Sequence, residues 1–227
     1  MLILKNITKI YHPNIIALDN ISLEIHAKEF VFLIGKSGAG KSTLFKIIRR
    51  EEEPNRGQIY FKNKNILELN RSRLGEIRRK IAIIHQDFKL LNNKTVFENI
   101  ALPLEILGKS SKEIKEEVYK ITEKLKISHK LNQITETLSG GEKQKVCLAR
   151  ALILKPEIIL ADEPTGNLDP LATYEILSLL KEIREEGITI IIATHNKEVV
   201  DFIKTRVITM SNGKIIKDEN PGKFQLF

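Results

Sequence analysis

Gly35-Lys36-Ser37-Gly38-Ala39-Gly40-Lys41-Ser42-Thr43 joins two apolar segments of different period. Before it, Glu29 to Ile34 (Glu-Phe-Val-Phe-Leu-Ile) is a short, nearly continuous apolar run, the pattern of a strand buried on both faces. After it, Leu44, Phe45, Ile47 and Ile48 begin an apolar face with helical spacing. The glycines between them let successive backbone N–H groups turn inward around an anion, and Lys41 adds a point charge. Ser42 offers a hydroxyl where a nucleotide's magnesium would sit, and a helix starting there points its positive end at the same place. Strand, G-x-x-x-x-G-K-[ST] loop and helix, in this order, form a phosphate-binding P-loop.

The rest of the chain has room for one α/β domain around that loop. With 227 residues, 42% of them hydrophobic, it can fill a sizeable core. Its single cysteine, Cys147, cannot form an intrachain disulfide and lies in Val-Cys-Leu-Ala, the setting of a small buried hydrophobe, which fits a reducing cytosol. Apolar runs such as Ile188 to Ala193 are strand-sized, and Leu2 to Leu4 is too brief before Lys5 to act as a signal peptide. Any membrane attachment is therefore expected through a partner or the surface. A net charge of +8 suits acidic partners, yet the lysines are scattered among glutamates, as from Lys112 to Lys126. That is the pattern of a solvated surface, and direct nucleic-acid binding is not expected.

Upstream of the loop, Leu2 to Ile7 and Ile15 to Ile25, separated by His12-Pro13-Asn14, predict an antiparallel pair with Tyr11 at its turn. Gln58 to Phe61 reads as a further strand and Arg71 to Arg79 as a short basic helix. Ile81 to Ile84 is a compact strand ending at His85-Gln86-Asp87. From Thr95 to Lys130 the period is helical, and Ser110-x-x-Glu113 forms a capping box before Ile114, Val118, Ile121 and Leu125 on one face. Leu138-Ser139-Gly140-Gly141-Glu142 then opens another helix, chemically a second place for an anion.

Ile158 to Ala161 is a fully apolar strand that delivers Asp162 and Glu163 to its end. One acid there can hold hydrated magnesium while the other polarises a water for attack on phosphorus. Asn167-Leu168-Asp169-Pro170 is a turn before a helix over Leu171 to Glu186, and the strand Ile188 to Ala193 ends in Thr194-His195. Arg206 to Met210 and Lys214 to Asp218 flank Ser211-Asn212-Gly213 as a terminal hairpin. The tail from Asn220 carries no clear pattern.

In this order, Gly35 to Thr43, Gln86, Leu138 to Glu142, Ile158 to Glu163, Leu168-Asp169 and His195 resemble the ATP-binding cassette ATPases over nearly the whole chain. The resemblance implies an α/β fold: a P-loop NTPase nucleotide-binding domain with a RecA-like parallel core, an N-terminal antiparallel β subdomain and an inserted α-helical subdomain. The core with its β subdomain would span 1–94 and 157–227, and the helical part with the signature motif 95–156. Mg-dependent ATP hydrolysis is the implied activity. Tyr11 would stack on adenine. Gly35, Lys36, Ser37, Gly38, Ala39, Gly40, Lys41, Ser42 and Thr43 would cradle the phosphates, with Lys41 on the β- and γ-groups. Ser42 and Gln86 would ligate Mg2+ with support from Asp162, Glu163 would be the general base, and His195 would contact the γ-phosphate. Ser139, Gly140, Gly141 and Glu142 would complete the ATP site of a second copy in a head-to-tail homodimer, and Asp169 would also lie at the nucleotide. Departures from the family pattern are Lys36 in the loop, Lys143 and Lys145 in the signature helix, and His85 where an aromatic residue is frequent.

Ile48-Arg49-Arg50-Glu51-Glu52, Gln86-Asp87-Phe88-Lys89-Leu90-Leu91 and the segment Thr95 to Leu104 resemble the bacterial cell-division branch of these ATPases, the FtsE type. That resemblance implies an FtsX-like integral membrane partner, a peripheral location on the cytoplasmic face of the inner (plasma) membrane, and control of cell-wall hydrolysis. Asp162 to Asp169 is shared with lipoprotein-releasing and macrolide-exporting relatives, so export is the alternative. A DNA-repair or ribosome-binding cassette would carry a long insertion or a second cassette, and nothing between Lys41 and Ser139 is long enough for either.

Overall fold

The computed structural model describes residues 1–226, so Phe227, the end of the expected core segment, lies outside it. β1 (Leu2–Tyr11) and β2 (Ile15–Ile25) pair antiparallel, with Leu4 opposite Leu23 and Tyr11 opposite Ile15. Leu2, Leu4 and Ile7 on β1, and Ile21, Leu23 and Ile25 on β2, turn to the interior, as the loose alternation predicts. β3 (Phe30–Ile34) leaves this sheet for a second one, while β4 (Arg56–Phe61) returns to β1's free edge and the short β5 (Lys64–Asn65) closes the first sheet in the order β2-β1-β4-β5.

The second sheet is built from β3, β6 (Ile81–Ile84), β7 (Ile158–Asp162), β8 (Thr189–Thr194), β9 (Arg206–Ser211) and β10 (Lys214–Glu219) in the order β10-β9-β3-β8-β7-β6. Its neighbours run parallel except in the terminal hairpin β9–β10. A parallel sheet must be covered on both faces, and the side chains divide accordingly. Val31 and Leu33 pack with α1 (Lys41–Ile48) and the antiparallel sheet, so the helix after the loop is sandwiched between two sheets. Phe30, Phe32 and Ile34 point the other way.

On that other face lie α3 (Val96–Ile106), α4 (Ser111–Lys124), α5 (Gly140–Leu152), α6 (Pro170–Glu185) and α7 (Lys197–Phe202), while α2 (Arg71–Lys80) leads directly into β6. Val96, Val118, Val146 and Ile176 share one apolar cluster with Ile159 and Ile192, so the expected helical insertion buries its apolar faces in the core of the sheet. Capping boxes start α3 (Thr95 with Glu98) and α4 (Ser110 with Glu113), each satisfying backbone N–H groups that the first helical turn leaves unpaired.

Several elements differ from expectation: β1 runs on to Tyr11 rather than Ile7, β4 begins at Arg56 rather than Gln58, and β8 covers Thr189–Thr194 rather than Ile188 to Ala193. α6 begins at Pro170 rather than Leu171, because Asp169 caps it and proline is pre-organised for the first helical position. α7 has no counterpart in the sequence reading: six residues are too few to display a helical period.

The register fixes the geography of everything that follows. Ile34 lies opposite Thr194, Asp162 opposite Ala193, and Ile84 opposite Ala161. The residues that leave these strands, Gly35, His195, Glu163 and His85-Gln86, therefore emerge along one edge of the sheet, at the carboxyl ends where α/β proteins form their sites.

Candidate active site

The loop after β3 is packed so closely that side chains are excluded from two of its positions. A Cβ on Gly35 would come 2.5 Å from the carbonyl oxygen of Met210, and one on Gly40, whose φ is +102°, would come 2.5 Å from that of Ala17. Gly38 also takes a positive φ, +79°, but faces open space. Lys36, Ser37, Gly38 and Ser42 are exposed, whereas Ala39, Gly40 and Lys41 are buried. The Lys41 ammonium folds back over its own loop, donating to the carbonyls of Gly35 (2.7 Å) and Lys36 (3.2 Å). Burial pulls its pKa below the ordinary lysine value, and the charges of Glu163 and Asp162 act against that pull. A buried ammonium that rests on loop carbonyls, in a backbone too tight for a Cβ at Gly35 and Gly40, fits a polyphosphate.

Glu163 stands just past β7 with φ +47°, a left-handed conformation that costs a glutamate free energy. Its N–H donates to the Ala193 carbonyl at 2.9 Å. The carboxylate is held at both oxygens: Thr194 Oγ1 donates to Oε2 (3.1 Å), and Nδ1 of His195 lies 2.5 Å from Oε1. Gln86 is exposed beside the same turn, its carbonyl accepting from Asn167 Nδ2 at 3.3 Å. Gln86, Glu163 and His195 share a cavity of about 360 Å³ with Thr173 and Tyr174. A larger cavity, about 650 Å³, lies between β4, α2 and α3 behind side chains of mixed charge, and none of the expected site residues borders it.

The phosphate loop Gly35–Thr43 and Asp162 do not line the smaller cavity, and Tyr11, Asp169 and Ser139–Glu142 lie outside it as well. Tyr11 gives its phenolic proton to Glu52, and the Lys9 ammonium sits 5.1 Å from the centre of its ring. Asp169 caps α6 by accepting from Ala172 N at 2.9 Å. Ser139 caps α5, and the Glu142 carboxylate closes the reciprocal bond from Ser139 N at 2.8 Å, so a carboxylate of the chain itself stands at the helix start that the residues suggested for an anion. A Cβ on Gly140 or Gly141 would meet Leu168 (3.1 Å) or Ala172 (3.0 Å), which places the signature turn against the start of α6. Among the described residues no hydrogen bond or ion pair joins Ser139–Glu142 to the Gly35–Thr43 loop.

The sequence reading did not find the residues that hold the Gln86 loop. Phe88 (φ +61°) and Lys89 (φ +52°) are both left-handed, and their carbonyls accept from the Arg150 guanidinium at 2.9 and 2.7 Å. Asn99, fully buried, accepts from Leu91 N (2.8 Å) and donates to the carbonyls of Leu91 and Thr95. Isolated polar residues on apolar helix faces were the available signal for both.

A model of the ABC transporter family matches residues 18–166. The chain belongs to that family. This cassette is 44% identical to the cell division ATP-binding protein FtsE of Bacillus subtilis strain 168, over 99% of this chain and 98% of that protein. It is 45% identical to the methionine import ATP-binding protein MetN of Francisella tularensis subsp. holarctica strain OSU18, over 95% of this chain but 63% of MetN. Its fold matches the dimeric ATP-binding cassette MJ0796, solved in a post-hydrolysis state bound to ADP and Pi, with a TM-score of 0.88 at 36% identity over 99% of this chain and all of that one. No helix among the described residues is long and apolar enough to cross a membrane.

Proposed function

We propose that this cassette binds and hydrolyses ATP as a head-to-tail pair and drives an FtsX-like membrane subunit in cell division, regulating cell-wall hydrolysis from the cytoplasmic face of the membrane. The observation that carries the chemistry is the Glu163 carboxylate, held by Thr194 and His195 at the strand ends next to the phosphate loop. Glu163 takes the proton of the attacking water, and the bond to Thr194 aims it while His195 turns toward the γ-phosphate. Lys41 exchanges its loop carbonyls for phosphate oxygens and offsets the charge that develops on them. Ser42, Gln86 and Asp162 would hold Mg2+, which when bound neutralises charge on the β- and γ-phosphates. Tyr11 stacks on the base.

The signature turn, Ser139 to Glu142, and Asp169 lie away from their own chain's loop, which supports a site completed by a second copy. The segment 95–156 then acts as the helical subdomain that carries the signature from one copy to the other. ATP bridging two such copies closes them, and loss of the γ-phosphate removes contacts that held them together, so a chemical step becomes a motion. The cell-division reading is supported by similarity that runs through 98% of the FtsE chain. Similarity to MetN favours one second reading, the ATPase of an importer.

Glu163→Gln tests the chemistry: ATP still binds, turnover stalls and a closed dimer accumulates, whereas surviving turnover removes Glu163 as the base. Affinity purification of the tagged chain from detergent-solubilised native membranes tests the role. A small membrane subunit with an extracytoplasmic domain supports division, and a solute-translocating subunit overturns it.

A further inference from the structure

Glu51, Glu52 and Glu53 follow the phosphate-loop helix as an acidic run, yet each has its own partner. Glu51 pairs with Arg49 (2.7 Å) and Glu53 with Arg50 (2.9 Å), which leaves the middle carboxylate facing β1. Glu52 Oε2 accepts the phenolic proton of Tyr11 and lies 3.5 Å from Lys9 Nζ, while Oε1 takes Lys46 Nζ at 3.1 Å. Lys46 belongs to the last turn of α1, and its carbonyl accepts from the backbone N–H groups of Glu51 (2.8 Å) and Glu52 (3.4 Å). The position of Glu52 is thereby referred to the helix that begins at Lys41.

The strand that carries Tyr11 is stitched to the same segment. Asn55 N donates to the Thr8 carbonyl (2.8 Å), Asn55 Oδ1 accepts from Ile10 N (2.7 Å), and Lys9 Nζ donates to the Glu53 carbonyl (2.8 Å). With its backbone fixed at that end and its hydroxyl fixed at the other, the Tyr11 ring has no freedom to swing. Lys9 stands over the ring at 5.1 Å from its centre, and as a base platform Tyr11 would take a flat partner on the other face.

We propose that Glu52 is a positioning residue for base recognition: it fixes the ring plane of Tyr11 relative to the phosphate loop, so that a purine base and a triphosphate are held at a set separation. The proposal rests on Tyr11 being the base platform. Burial, then the bond to Glu52, raises the Tyr11 pKa, and the same bond is the largest cause that lowers that of Glu52, so the phenol stays a donor and the carboxylate an acceptor across the physiological range.

The test compares binding of Mg-ATP with that of inorganic tripolyphosphate, which has no base, by calorimetry on the full chain. Glu52→Ala weakens ATP binding about 3–10-fold, the range of one ordinary net hydrogen bond, because the ring loses its ordering and not a contact to the ligand, and leaves tripolyphosphate unchanged. Tyr11→Phe, which keeps the ring and removes the same bond from the other end, gives the same pattern, and adding Glu52→Ala to it costs nothing more. Glu52→Gln, which retains an acceptor oxygen, recovers most of the affinity. Equal weakening of tripolyphosphate overturns the proposal, because Glu52 would then be supporting the phosphate loop itself. Unchanged ATP affinity in both Glu52→Ala and Tyr11→Phe also overturns it, and Tyr11→Ala tells what failed. If Tyr11→Ala alone lowers ATP affinity, the platform stands without its positioning residue, and if it does not, the platform reading falls as well.

Discussion

Replacing Arg150 by alanine should loosen the Gln86 loop without unfolding the cassette. The guanidinium spans the carbonyls of Lys89 (2.7 Å) and Phe88 (2.9 Å), two consecutive left-handed residues that would relax if released. Hydrogen bonds from a charged donor contribute about 1.5–3 kcal/mol each, so the pair holds the loop by roughly 3–6 kcal/mol before offsets. Two offsets reduce this. Burying the guanidinium has a cost, seen in the downward shift of its pKa through desolvation, and Cys147 Sγ, 3.1 Å from the Phe88 carbonyl, remains as a weak partner. A net loss of about 2–3 kcal/mol remains, which corresponds to a roughly 30–150-fold larger opening equilibrium. Native-state hydrogen exchange reads it: amides of residues 86–91 should lose protection by that factor while α4 keeps its own. Arg150→Lys, whose single ammonium cannot fork across two carbonyls, should fall between. Unchanged exchange over 86–91, or equal loss in α4, would refute the clamp and leave Arg150 a packing residue.

Gly40→Ala combines left-handed strain of about 1–2 kcal/mol with a Cβ 2.5 Å from the Ala17 carbonyl, whereas Gly38→Ala meets the strain alone. Urea titration should find the first clearly more destabilising, and equal losses would deny the close approach a role. Glu98 is held at a pKa of about 2 by Lys94 and Thr95, and Glu113 at about 2 by Ser110 and Lys109. Folded-state values below the unfolded ones mean that this stabilisation is complete above the ordinary carboxylate range, near pH 4.5, and is lost as pH falls toward 2. Glu98→Gln/Glu113→Gln should therefore flatten the acid limb of thermal stability followed by circular dichroism, and an unaltered limb would show that the caps do not titrate there. Burial raises the Cys147 thiol to about 12, so a disulfide exchange reagent at pH 8 should modify it only in denaturant. Stoichiometric labelling of the folded chain would contradict the burial.

What the sequence disclosed was set by period and by order. β3, β6, β7 and β8 were legible because a strand buried on both faces is an uninterrupted apolar run, and the sites at their ends followed from the single rule that α/β chemistry gathers there. The pairing of Glu163 with His195 could not be read, since it depends on Asp162 lying opposite Ala193, a register that no local pattern specifies. What Arg150 and Glu52 pair with could not be read for a related reason. Each is one charged residue in a helix or turn that tolerates charge, and its meaning lies in a carbonyl or phenol dozens of residues away.

These long-range bonds divide the Gln86 loop between two bodies. Its first residue is tied to the turn after β7 through Asn167, and it lines the same cavity as Glu163. Its later residues are tied to α5 through Arg150, and to α3 through Asn99. α5 is capped by Ser139, in the turn proposed to meet a second copy. The carbonyls of Phe88, Lys89 and Leu91 are already held, so a displacement of Gln86 relative to the strand ends should pass to α5 and α3 rather than be absorbed within the loop. The strained backbone of Phe88 and Lys89 follows from this arrangement: a relaxed loop would be compliant, whereas one pinned in left-handed conformations by a single guanidinium moves with the helix that pins it.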